Sequence, residues 1–255
     1  MSNNIKFLHS LGQSLWFDNI QRGMLENGYL AQLIKAGDLR GMTSNPSIFN
    51  QAISQTHDYD SAIQTMALAG YESNRILEQL VIEDIRSACD LFALLYHDTR
   101  GRDGYVSLEV SPFLAHDTKN TLSEARRLWK LVDRPNVMIK IPATAEGLSA
   151  IRQAIADGIN VNITLIFSLD RYSQVMEAYQ AGLEDRLAKG LPIGTIESVA
   201  SFFISRIDNK VDKHLDEIIA IGESLSKRAS VLLGKAAIGS GKLAYTQFKH
   251  TFSGE

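Results

Sequence analysis

The chain is short of cysteine, of long apolar runs and of charge of one sign, and each shortage removes a class of protein. One cysteine, Cys89, among 255 residues cannot form an internal disulfide, which excludes a disulfide-built scaffold. It falls on a predicted helix, where it reads as a buried, inert thiol. No run approaches the roughly 20 apolar residues that span a bilayer. Met1–Ser10 lacks the apolar segment of a secretory signal. The 26 Lys and Arg against 29 Asp and Glu leave a net charge of −3, which offers nucleic acid no basic face. The histidines, His9, His57, His97, His116, His214 and His250, stand singly, without the spacing of a metal site. No Gly-x-Gly-x-x-Gly follows a strand pattern, so a dinucleotide fold has no support. What remains is a cytoplasmic globular protein that needs neither membrane nor nucleic acid.

What is present is an alternation of short apolar runs and helical patterns. Strands are predicted at Ser14–Asn19, Leu39–Ser47, Gly104–Pro112, Val137–Thr144, Asn160–Ser168 and within Ser198–Asp208. Between them lie helical patterns: 20–36 closed by Gly37, a helix from Ser73 toward Asp98 with Ser73 as its cap, one capped by Asp117 or Thr118, 146–156 ended by Gly158, and one capped by Ser168. A short helix is predicted within Met1–Leu15, and helices at about 210–221 and 225–248. No repeats or linkers appear, so 1–255 reads as one domain. Strand then helix, about six times over, means a parallel sheet with crossover helices. An open doubly wound sheet and a (β/α) barrel both fit that pattern.

Strand parity favours the barrel. Val106, Leu108 and Val110 share one face of strand three, with Ser107 and Glu109 opposite. Val161, Ile163, Leu165 and Phe167 share one face of strand five, with Asn162, Thr164 and Ser168 opposite. Strand four, Val-Met-Ile-Lys-Ile-Pro-Ala-Thr, sets Lys140 against Val137, Ile139 and Ile141. The polar residues sit toward the C-terminal strand ends. A barrel lays its apolar face on the helix ring and lines a catalytic mouth with the other. Two alternatives stand at this point: strand four is an edge whose lysine meets solvent, or the polar residues only satisfy one another as a buried network.

A free lysine has a pKa near 10.4, so roughly one in two thousand is neutral at pH 7. Desolvation disfavours the ammonium and frees the lone pair. A lysine among apolar neighbours is therefore suited to attack a carbonyl and form a Schiff base.

Six stretches, in order across about 14–208, closely resemble transaldolases: Ser-Leu-Trp-Phe-Asp-Asn, Thr43-Ser-Asn-Pro-Ser-Ile-Phe49, Ser107-Leu-Glu-Val110, Ile139-Lys-Ile-Pro-Ala-Thr144, Asn162-Ile-Thr-Leu-Ile-Phe-Ser168 and Ser201-Phe-Phe-Ile-Ser-Arg-Ile-Asp208. The resemblance implies an α/β fold, the (β/α)8 TIM barrel of class I aldolases, with no cofactor and no metal. It implies transfer of a dihydroxyacetone unit between phosphorylated sugars of the pentose phosphate pathway. Sedoheptulose 7-phosphate and glyceraldehyde 3-phosphate would give erythrose 4-phosphate and fructose 6-phosphate. By the same resemblance Lys140 is the Schiff-base residue and Asp18 the general acid/base. Glu109 and Thr164 position a water, while Asn45 with Thr43 and Ser201 hold substrate hydroxyls. Arg206 binds the phosphate. As structural alternatives, Asn45 braces the turn before Pro46, and Arg206 pairs with Asp208.

The family barrel has eight strands, and about six are legible here. Thr251–Glu255 reads as the start of a loop. The expectation is therefore a C-terminally incomplete barrel that binds phosphosugars poorly alone and could form a homo-oligomer. Two readings stay open beside the transaldolase: a fructose 6-phosphate aldolase, and a barrel piece without activity.

Overall fold

The computed structural model describes residues 3–222 and 225–253. A helix, α1 (Asn3–Ser10), precedes the first strand, β1 (Trp16–Asp18). Then come α2 (Arg22–Glu26), α3 (Tyr29–Lys35), β2 (Gly41–Thr43), α4 (Pro46–Gln55), α5 (Asp60–Leu68), α6 (Ser73–Asp98) and β3 (Tyr105–Glu109). The second half holds α7 (Thr118–Val132), β4 (Val137–Pro142), α8 (Ala145–Asp157), β5 (Val161–Ile166), α9 (Leu169–Ala188) and β6 (Ser198–Phe202). It closes with α10 (Ser205–Ile221), α11 (Ser226–Ser230) and α12 (Ala236–Phe252).

All six strands run parallel in the order β1-β2-β3-β4-β5-β6. They form a curled half-barrel of the α/β class with helices between the strands, consistent with a partial TIM barrel. Lys140 lies on a central strand, bonded to β3 on one side and β5 on the other, so the edge alternative falls. The helix-side residues Val106, Ile139, Ile141, Val161 and Ile163 are at most 1% exposed. They share one core with Ile85, Phe92, Ala125, Leu128 and Ile155. Each such side chain contributes about 1.5–3 kcal/mol by leaving water. Cys89 lies in this core, and burial pushes its thiol pKa upward. No helix among the described residues is long and apolar enough to cross a membrane.

Several local expectations are corrected. The helix expected over 20–36 is two, because Gly28 sits in the left-handed region at φ 81°. Ser73 is the first helical residue of α6, and Glu72 before it supplies no side-chain cap. Pro46 opens α4, since a proline at the first helical position forfeits no bond. The helix expected over 225–248 breaks into α11 and α12, with Gly234 at φ 66° between them. Helix α12 continues through Thr251 and Phe252, where a loop was expected, whereas Gly254 and Glu255 lie outside the described residues. Most relevant to the mouth, β5 is irregular between Ile163 and Ile166. Leu165 takes φ 61° there. That extra residue inverts the parity. Ile166 becomes fully buried, while Leu165 and Phe167 turn outward at 40% and 43% exposure.

Candidate active site

In a parallel ladder, residues in register share a face. Asp18 pairs with Thr43, Thr43 with Ser107, Glu109 with Lys140, Lys140 with Asn162, and Pro142 with Thr164. The polar residues of five successive strands therefore line the face turned away from the helices. Nearer the strand starts, the Trp16 indole lies across Gly41. A Cβ there would come within 2.5 Å of the ring, so only glycine admits the indole.

Lys140 is 7% exposed. Its Nζ donates to the Ser44 carbonyl at 3.0 Å and lies 3.5 Å from Glu109 Oε2. The side chain thus leans from β4 across β3 toward the end of β2. Burial raises the Glu109 carboxyl above the ordinary carboxylate range, and the neighbouring Lys140 pulls weakly the other way. Proton exchange between a raised acid and an amine costs less than between an ordinary carboxylate and an ammonium.

A hydrogen-bonded chain runs beside the lysine. Ser201 Oγ donates to Asn162 Oδ1 at 2.8 Å, and Asn162 Nδ2 donates to Ser107 Oγ at 2.9 Å. Ser44 Oγ donates to the Ser107 carbonyl at 2.8 Å. The expected set said nothing of Ser44, Ser107 or Asn162. Ser107 and Asn162 carried a signal, since each shares the lysine face by parity. Ser44 carried none, because its contribution to the lysine is a backbone oxygen.

The remaining expected residues fall as follows. Thr164 is 2% exposed on the same face. Asp18 ends β1 and is exposed. The Thr43 hydroxyl is covered and unpartnered. Asn45 caps α4, its Oδ1 accepting from the Ile48 amide at 3.0 Å. The bracing alternative is thus real, and it leaves the amide nitrogen of the side chain uncommitted by that cap. Arg206 lies in the first turn of α10, exposed, with its guanidinium 4.9 Å above the Phe203 ring. Asp208 is engaged elsewhere, accepting from the Ala237 amide at 2.7 Å. Phe203 in turn meets Phe167 edge-on at 5.1 Å. A cleft of about 260 Å³ adjoins the lysine environment, lined in part by Ser44, Asn45, Phe49, Leu108 and Glu109.

Comparison with known proteins adds an independent line. The family described as Transaldolase/Fructose-6-phosphate aldolase matches residues 15–253. A transaldolase of Saccharopolyspora erythraea is 45% identical over 254 residues, covering 100% of this chain and 67% of the relative. One of Trichodesmium erythraeum is 45% identical, covering 98% of this chain and 66% of the relative. A third, of Thermobifida fusca, is 46% identical, covering 99% and 67%. The chain thus spans about two thirds of the length of these relatives.

Proposed function

This chain belongs to the transaldolase/fructose-6-phosphate aldolase family, and on that premise we propose that it moves a dihydroxyacetone unit from a ketose phosphate to an aldose phosphate through a Schiff base on Lys140. The single observation that supports the reading best is a buried lysine on a central strand, held between the Glu109 carboxyl and the Ser44 carbonyl.

In this reading the amine of Lys140 adds to the ketone carbon, and the carbinolamine loses water to give a protonated imine. Glu109, with Thr164, handles the water and its protons. Asp18 takes the proton of the C4 hydroxyl. The C3–C4 bond breaks, its electron pair entering the imine to form an enamine, and the aldose phosphate departs. The enamine carbon then attacks the acceptor aldehyde, whose oxygen receives the proton held by Asp18. Hydrolysis of the new imine releases the product ketose and the free amine. Asn45 and Ser201 hold donor hydroxyls, and Thr43 stands beside Asp18 in register. The exposed Arg206 meets the phosphate, since a guanidinium matches its charge and forked geometry. The substrates that suit these roles are those of the pentose phosphate pathway in the cytoplasm, sedoheptulose 7-phosphate and fructose 6-phosphate as donors.

Borohydride reduction in the presence of fructose 6-phosphate, followed by peptide mass spectrometry, tests this. A reduced three-carbon adduct on Lys140 is expected. Absence of any adduct there would overturn the Schiff-base reading. A coupled assay with and without an aldose acceptor then separates transfer from simple aldol cleavage, and dependence on the acceptor is expected.

A further inference from the structure

The Ser44–Asn45 corner is fixed by more bonds than a strand end requires. Ser44 is 1% exposed, and its Oγ donates across to the Ser107 carbonyl at 2.8 Å. The next residue caps α4, and the one after it is the proline that opens the helix. Between these pins the Ser44 carbonyl points at Lys140 Nζ, 3.0 Å away, from two strands over.

We propose that Ser44 is a positioning residue for the amine of Lys140: its hydroxyl locks the Ser44 peptide on β3, so that the Ser44 carbonyl fixes one N–H of the lysine while Glu109 fixes another. The inference rests on the Schiff-base reading above and deepens it. A neutral amine has two hydrogens and one lone pair. With one hydrogen held by the Ser44 oxygen and the other by the Glu109 carboxyl, the lone pair is directed away from both, and a ketone must arrive on that side. When the imine forms, the nitrogen keeps a single hydrogen. The carbonyl is neutral and takes up no proton at working pH, so it retains that hydrogen. Glu109 is thereby left to serve the departing water. A carboxylate alone would hold the amine as well, but would be occupied by it.

The test compares the full chain with its Ser44→Ala and Ser44→Thr variants, after thermal unfolding has shown which are folded. Three quantities are read: the single-turnover rate of borohydride trapping with fructose 6-phosphate, kcat against KM, and the pH profile of trapping. Loss of orientation at a reacting group can cost on the order of 10²-fold. Ser44→Ala is expected to slow trapping by about ten- to a hundredfold, mostly in kcat, with a shifted pH profile. Ser44→Thr, which keeps the hydroxyl, is expected to recover most of the rate. An unaltered trapping rate and pH profile in folded Ser44→Ala, with the parent chain labelled on Lys140, would overturn this inference and leave the Schiff base standing. No label on the parent chain would overturn both. A measurement on the unsubstituted chain stands apart from any folding defect. With ¹⁵N-lysine, the Lys140 Nζ hydrogens are expected to exchange far more slowly than those of surface lysines, and surface-like exchange would overturn the proposal.

Discussion

Glu109 carries two obligations that pull against each other. In the proposed reaction it must be charged at times to exchange protons with Lys140, 3.5 Å away, yet its place at the end of β3 is buried enough that burial raises its pKa. A carboxyl whose folded pKa exceeds its unfolded one favours the fold most below the unfolded value. That contribution is lost as pH climbs through the folded value. The expected outcome for Glu109→Gln follows. Relative to the parent, its melting temperature rises as pH goes from about 4 toward about 7, because the substituted amide has no charge to bury. Trapping activity falls throughout that range. Thermal unfolding at the two pH values checks the first, and a relative melting temperature that falls with pH would contradict it. The shared face of Lys140, Glu109 and Thr164 was legible in the sequence because strand parity is a period of two, which needs only the order of residues. The Ser44 carbonyl beside the lysine was not, because a backbone oxygen has no letter of its own.

Helix α9 crosses α8 closely enough that Gly182 has no room for a methyl group. A Cβ there would lie 2.7 Å from the Arg152 carbonyl oxygen and 2.7 Å from Ile155 Cβ. Two effects oppose each other in Gly182→Ala. Helix propensity favours alanine by about 1 kcal/mol. Against that, the clash is with a backbone oxygen and a branched carbon inside another helix, and neither can swing away. Overpacking of this kind costs about 1–3 kcal/mol, so a net loss of stability is expected, read in urea unfolding as a lower midpoint at unchanged slope. A gain would mean that the two helices slide apart freely. At this scale the sequence was legible where a cap had a side chain. Asp117 and Ser168 cap α7 and α9 through the Asn120 and Arg171 amides. It failed where the backbone made the decision. The left-handed turn at Gly28 and the bulge at Leu165 are backbone conformations that no apolar periodicity announces. The bulge matters to the mouth, because it turns Leu165 and Phe167 outward, Phe167 against the Phe203–Arg206 pair.

The molecule as a whole leaves uncovered what a closed core would bury. Its 28.2 kDa and 14825 Å² of accessible surface compare with about 11,000 Å² from the usual scaling of surface with mass. The excess of roughly 3,800 Å² on one chain is several times the roughly 800 Å² that one partner gives to a standard interface. Its location is visible in the fold. Among the described residues the sheet ends in free edges at β1 and β6, and such edges offer unpaired backbone groups to another chain. Beyond β6 the helices expose Ile221, Val231, Ile238, Leu243 and Tyr245, each more than half accessible. A second opening of about 610 Å³ between α9, β6 and α12 is lined by Tyr172, Met176, Tyr179, Phe248 and Phe252. Six parallel strands were legible from the alternation of patterns. What covers their edges was not, since parity says which face a residue takes and nothing about where a sheet stops. Apolar surface on this scale does not stay in water at high concentration. Size exclusion with light scattering is therefore expected to show this chain associating as its concentration rises. A polar substitution such as Leu243→Glu on α12 should shift the midpoint of association to higher concentration. A chain that stays monomeric over the whole range would mean that these helices repack to cover the β6 edge, and hydrogen exchange at Ser198 and Ala200, whose amides point away from β5, would then be slow, where an open edge exchanges fast.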